Sequence, residues 1–264
     1  MAAKKNSGND LFSRRKPTPS KARRAGQREA KKVVLIVTED SKSSLLYFRQ
    51  LAKNEFYRLS MDVRAMHGGQ LPNMVDCLSE QANAKEVFDA AFLVFDGDVF
   101  HPAHPSNISA AQNFRKEQYD SACQTLGELK KRSEKHIQMI RSVPCFEIWV
   151  WMHIEQCTQP FTSTGGKTSG QNCTSMLNLR FKERYSCDYD KASNKIYDIL
   201  SADQASAVRS SKTILNAAWK AWGGEIPQEG EMTYEHLCGL GTFSEMHVLI
   251  EELLQPVIPV QNVS

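Results

Sequence analysis

Apolar and polar residues fall along this chain in blocks whose period switches between strand-like and helix-like. Residues 33–37 (Val-Val-Leu-Ile-Val) and 92–95 (Phe-Leu-Val-Phe) are short, continuous apolar runs rich in β-branched and aromatic side chains, the pattern of strands buried on both faces. Residues 61–66 predict another strand, and residues 137–144 a further one stopped by Pro144. Between them lie helical patterns over 44–51, 72–85 and 109–131, the last of them long and polar. Residues 145–154 predict a short helix that is apolar nearly all round and therefore buried. Strand, helix, strand, helix, strand in that order implies right-handed crossovers and a parallel sheet covered on both faces, an α/β fold. Beyond it, residues 158–173, rich in Thr, Gly, Ser and Gln, predict a mobile loop that either closes over a substrate or merely connects. Helical patterns follow at 174–184, 191–200, 203–222 and 243–254, the last with a capping box, Thr242-x-x-Glu245.

Acids stand where the strands stop, and α/β proteins place their chemistry at the carboxyl ends of strands. The Phe92 strand runs into Asp96-Gly97-Asp98. If the backbone is still extended there, the i, i+2 spacing puts both carboxylates on one side, and a bound Mg²⁺ or Mn²⁺ relieves their repulsion. The same three residues also suit a plain turn after a buried strand. Glu39 follows the first strand in the same way, although whether the two strands are neighbours is not readable from spacing. Asp40 or Ser41 suits the N-cap of the next helix; Glu is less favoured as a cap, so capping does not account for Glu39. Lys42, in the first turn, opposes the helix dipole and suits a facing anion, while an exposed lysine there needs no function. Glu147 is a carboxylate inside an apolar segment and needs a partner, a metal or a proton; an ion pair with an arginine such as Arg141 answers that need as well as a functional role does. His153 is about 240° round the same helix from Glu147, so the two do not face one point. With Cys157 it imitates half a zinc site that has no second half, and the proline-flanked His101 and His104 fit an ordinary loop.

Charge changes the picture at one end only. Residues 1–32 hold eleven Lys or Arg against Asp10 and Glu29, a net +9 within a whole-chain net of +3, which leaves about −6 on the rest. With little apolar content this segment predicts a flexible basic tail suited to phosphate backbones, or simply a solubilising one. No apolar run is long enough to span a membrane and no apolar segment follows the basic start, so a cytoplasmic protein is expected. Seven cysteines without a Cys-x-x-Cys pair point to reduced thiols rather than a disulfide framework or structural zinc.

A strand ending in Glu39, with Ser43 and Tyr47-Phe48 after it, Asp96-x-Asp98 ending a later strand, and Pro144-x-Phe146-Glu147-x-Trp149 with His153 together resemble the RloB-like family. Tyr189 and Lys191 match a Tyr-x-Lys feature of the same family, and the similarity covers most of the chain from about Val33 onward. One departure stands out: Glu39 is followed by Asp40, where the family commonly has glycine. The extra carboxylate either adds charge to a metal site or caps the helix. The resemblance implies a Toprim-like parallel sheet flanked by helices and a role in bacterial defence against phage and abortive infection. It implies that Asp96 and Asp98 hold Mg²⁺ (or Mn²⁺), that Glu39 serves as general acid or base or shares a second ion, and that Glu147 joins the acidic cluster. Lys42, His153 and Lys191 are the candidate substrate-binding residues; Lys191 suits a phosphate, while a surface lysine in a first helical turn needs no function.

The expected organisation is a disordered basic tail (1–32), a Toprim-like α/β core (33–157), and a loop with a helical C-terminal region packed on it (158–264). The expected function is metal-dependent hydrolysis of phosphodiester bonds in RNA, tRNA included, or DNA. Topoisomerase chemistry would need a second domain with a nucleophilic tyrosine, and primase chemistry a nucleotide site, neither of which the sequence offers. The alternative is a non-catalytic or regulatory nucleic-acid-binding subunit of a defence complex, with a partner ATPase suggested by the family.

Overall fold

The structure, a computed structural model, describes residues 31–55, 59–66, 70–83, 88–97, 110–133, 135–223 and 232–254. The expected basic tail, Asp98, and the loop carrying His101 and His104 lie outside these residues. Strand β1 (Lys32–Thr38) leads into helix α1 (Ser43–Asn54), strand β2 (Leu59–Ala65), helix α2 (Leu71–Asn83) and strand β3 (Ala90–Asp96). Helix α3 (Ala110–Ser133), strand β4 (His136–Val143) and helix α4 (Glu147–Met152) complete the first half. Then come α5 (Ser169–Tyr185), α6 (Ile196–Leu200), α7 (Gln204–Trp222), α8 (Tyr234–Gly239), strand β5 (Phe243–Ser244) and α9 (Met246–Leu254). Among the described residues, no helix is long and apolar enough to cross a membrane.

The sheet order is β2-β1-β3-β4-β5. The first four strands are mutually parallel, as the alternation of strands and helices predicts, and β5 joins β4 antiparallel. The centre of the sheet follows from composition. β1 and β3 carry the two continuous apolar runs, and Val34, Ile36, Val37, Phe92 and Leu93 are fully buried. β2, at the edge, mixes buried Leu59 and Val63 with exposed residues. Helix α1 turns Leu45, Tyr47, Phe48 and Leu51 inward, a 3- and 4-residue spacing that lines one face. Helix α4 is buried over its whole length, which the five apolar residues after Glu147 require; it packs on α5 and α7, so the region after residue 158 closes the core of the region before it.

Three expectations change. The loop expected through Cys173 stops at Thr168, where α5 begins with a capping box between Thr168 and Gln171. The rest of that loop is tied down: Asn172 Nδ2 donates to Thr162 O (2.8 Å) and Thr242 Oγ1 to Gln159 O (2.7 Å), while buried Phe161 packs on Trp151. The expected capping box Thr242-x-x-Glu245 does not form. Residues 243–244 pair with β4 as a strand instead, the helix starts at Met246, and Glu245 turns inward to Arg141.

Candidate functional site

Glu39 is the first residue past β1 and Asp96 the last of β3, and these strands are neighbours with Thr38 opposite Val94. The two acids therefore emerge side by side at the carboxyl edge of the parallel sheet. The backbone holds them there. Asp96 N donates to Glu39 Oε2 (3.0 Å), Glu39 N to Val94 O (3.2 Å), and Phe146 N, just before α4, to Asp96 Oδ1 (2.9 Å). Both side chains are partly exposed, between a buried strand and solvent.

Gly97 explains the middle of the Asp-Gly-Asp sequence. Its N–H donates to Ser142 O (2.8 Å), so contact with β4 continues past Asp96, and a Cβ at Gly97 would lie 2.6 Å from Val143 Cγ2. The glycine is needed for close approach to the neighbouring strand. Asp98 lies outside the described residues.

Asp40 is occupied with helix capping. Its Oδ2 accepts from Ser44 N (2.9 Å) and Ser43 Oγ (2.6 Å), and its Oδ1 from Lys42 N (2.5 Å). Of the two roles left open for this extra carboxylate, the geometry fills the structural one. Lys42 itself is exposed at the start of α1.

Glu147 opens α4 and is 1% exposed. It does not pair with Arg141. Its Oε1 receives Lys191 Nζ (2.9 Å), Ser43 Oγ (3.0 Å) and Tyr189 OH (3.2 Å). Ser43 has a single hydroxyl proton and stands between Asp40 and Glu147, so it serves one carboxylate at a time. Burial, then the charge and hydrogen bond of Glu147, hold the Tyr189 phenol well above its ordinary pKa, which keeps it a donor. Burial pushes the Lys191 ammonium down, yet Glu147, with lesser help from Cys145 and Asp96, carries it above its usual value. Next door, the Cys145 thiol is pushed well up by its hydrogen bond to Cys173, by burial and by Glu147, so it stays protonated.

His153, at the other end of α4, sits in the core. Its Nδ1 is 2.9 Å from Trp149 O, and its ring meets those of Trp149 and Tyr47 edge-on. Burial lowers its pKa to about 4, so the ring is neutral. Arg141 is buried too, and its partners are Glu245 and Tyr119.

The strand ends thus bring together Glu39 and Asp96. Glu147, with Lys191 and Tyr189, follows directly on Phe146, whose N–H bonds Asp96, and Ser43 links it to Asp40. Among the described residues, no group of three or more His, Cys, Asp or Glu side chains closes around one point. The part played by Tyr189 went unassigned in the sequence, because it and Lys191 lie in an irregular segment that turns at Lys191–Ala192, where no periodicity signals that both side chains reach Glu147. A family model described as RloB-like protein matches residues 34–253. No curated protein and no solved structure matches the chain.

Proposed function

The chain belongs to the RloB-like family, and from that premise we propose that it is a metal-dependent nuclease, hydrolysing phosphodiester bonds of RNA, tRNA included, or of DNA in bacterial anti-phage defence. The observation that carries this reading is the Glu39–Asp96 pair, fixed by backbone N–H groups at the ends of adjacent parallel strands. Two hard carboxylates, partly exposed and held in place, suit Mg²⁺ or Mn²⁺, which keep several waters and take few protein ligands. Asp98 is the further ligand expected. Bound there, the ion would neutralise charge on the phosphate and lower the pKa of an attacking water. Asp96 N orients Glu39, which would accept a proton from an attacking water. The basic residues 1–32 concentrate the protein on nucleic acid by counterion release, and a partner ATPase controls it in the cytoplasm.

The test is cleavage of total tRNA, single-stranded RNA and plasmid DNA by the wild type and by Glu39→Gln and Asp96→Asn, in Mg²⁺, Mn²⁺ or EDTA. Metal-dependent cleavage that falls by about a hundredfold or more in both folded variants supports the reading. If every substrate survives in Mn²⁺ with the protein folded, the nuclease reading fails and the regulatory subunit takes its place.

A further inference from the structure

The region after α5 puts a lysine on the edge of the acidic site. Lys191 Nζ lies 2.9 Å from Glu147 Oε1, and the two side chains are 43% and 1% exposed. The carboxylate is sealed inside while the ammonium spans from it to solvent. Glu147 accounts for one of its three N–H groups. The backbone around Lys191 is held on both sides. Tyr189 N donates to Asn178 Oδ1 (2.7 Å), Ala192 N to Asp190 Oδ1 (2.9 Å) and Gln50 Nε2 to Ser193 O (3.4 Å), while the Tyr189 ring packs on Phe181. The lysine is thus delivered to a fixed place and is not an ordinary flexible surface cation.

Stability does not explain the arrangement. A buried carboxylate paired with a lysine is commonly no better for folding than apolar residues of the same size, because desolvation offsets the attraction. Ser43 would still have Asp40 as its acceptor if Glu147 were apolar. What the arrangement does achieve is a cation of fixed position, within electrostatic reach of Asp96 as well as Glu147.

We propose that Lys191 is the phosphate anchor of the site, donating to a non-bridging oxygen of the substrate phosphate beside Glu39 and Asp96, with Glu147 and Tyr189 as positioning residues that aim it. This rests on the nuclease reading for the identity of the substrate, but the anchor itself requires only a phosphate. It makes Glu147 neither a metal ligand nor a proton carrier, and it makes the segment between α5 and α6 part of the substrate site.

Two measurements on the full-length protein in Mg²⁺ test it. The first is the acylation rate of Lys191, read by mass spectrometry, with and without inorganic phosphate or thymidine 3′,5′-bisphosphate. Protection of Lys191 by either probe, lost in Glu147→Gln, is the expected result; an acylation rate that neither probe changes overturns the anchor. The second compares Lys191→Met, Lys191→Arg and Glu147→Gln/Lys191→Met for thermal stability, KM and kcat. The double variant removes the ion pair without leaving a lone buried charge, so it should fold normally. Its KM should nevertheless rise by about tenfold to a hundredfold, the range for losing a hydrogen bond to a charged group, with a smaller change in kcat and partial recovery in Lys191→Arg. A double variant with wild-type KM would show the pair to be structural only. The two readings fail separately: a wild type that cleaves nothing while phosphate protects Lys191 removes the nuclease and leaves the anchor, and cleavage with an unprotected Lys191 does the reverse.

Discussion

Glu245→Ala should be among the most destabilising single substitutions in the chain, and the structure says why. Arg141 sits in β4 at 4% exposure. Its Nη1 donates to Glu245 Oε2 (3.0 Å), its backbone N–H donates to the same oxygen (3.0 Å), and its Nε donates to Tyr119 OH (2.8 Å). Glu245 N in turn donates to Arg141 O (2.8 Å). Burial works against the guanidinium, but Glu245 and Tyr119 more than compensate and raise its pKa, so the group stays charged. Truncating Glu245 strands a buried cation that cannot shed its proton, at a cost of about 3–5 kcal/mol. The orphaned backbone N–H of Arg141 falls within that figure, because the two losses share one acceptor. Against a typical total stability of about 5–15 kcal/mol this is a large fraction. At about 2–4 °C per kcal/mol for a chain of this size, Tm should drop by roughly 10 °C. Glu245→Gln, which keeps an acceptor for the backbone N–H, should cost less than Glu245→Ala. Arg141→Met/Glu245→Met should recover most of the loss, because neither charge is then left alone. The assay is guanidinium unfolding followed by fluorescence of buried Trp149 and Trp151. A cost below about 1 kcal/mol for Glu245→Ala, or a double variant no better than the sum of its singles, would refute the reasoning.

Two further outcomes follow from the same geometry. Gly97→Ala forces a methyl to 2.6 Å from Val143 Cγ2, a stiff β-branched neighbour, and should cost about 1–3 kcal/mol while displacing Asp96 and cutting cleavage. Val143→Ala in the same chain should restore much of both, as read from unfolding midpoints and turnover. Stability should also fall as pH drops from about 6.5 toward 4, because His153 is neutral in the fold with its pKa lowered to about 4, whereas the unfolded chain takes up the proton near 6.5. The difference amounts to about 3 kcal/mol by pH 4, and His153→Gln should flatten that part of the pH profile in urea unfolding.

The parts of the fold that are legible in the sequence are those with a strong local signal. Continuous apolar runs marked β1 and β3, and a helix apolar nearly all round marked α4, because a segment without a polar face has only the core to go to. Strand β5 is two residues long and exists through pairing with β4, so no periodicity announces it. The Thr242–Glu245 spacing had the form of a cap, but a buried arginine on a distant strand competes for the glutamate and wins, since an unpaired buried guanidinium costs more than a missing cap. Likewise Arg141 was a reasonable partner for Glu147 by proximity in sequence. Yet β4 places Arg141 toward α3 and β5, while the loop after α5 supplies Lys191. Strand adjacency, and with it the meeting of Glu39 and Asp96, comes from the order of crossovers, which spacing does not encode.

Among the described residues, four carboxylates stand at this edge of the sheet, and their hydrogen bonds sort them. Asp40 gives both oxygens to the start of α1, so it stabilises the helix whose first turn carries Ser43. Glu147 gives Oε1 to a lysine and a tyrosine from the segment after α5 and to a serine from α1, so it organises side chains rather than meeting solvent. Glu39 and Asp96 are held differently. Asp96 N and Phe146 N give Glu39 and Asp96 each a backbone donor that fixes its direction, and both remain partly exposed. An acid that is oriented by backbone donors and stays partly exposed can act on something that arrives from water, a cation or a proton. One that is buried against a lysine acts through that lysine. The division between Glu39–Asp96 and Glu147–Lys191 is therefore a division between the groups that would meet the ion and the groups that would meet the phosphate.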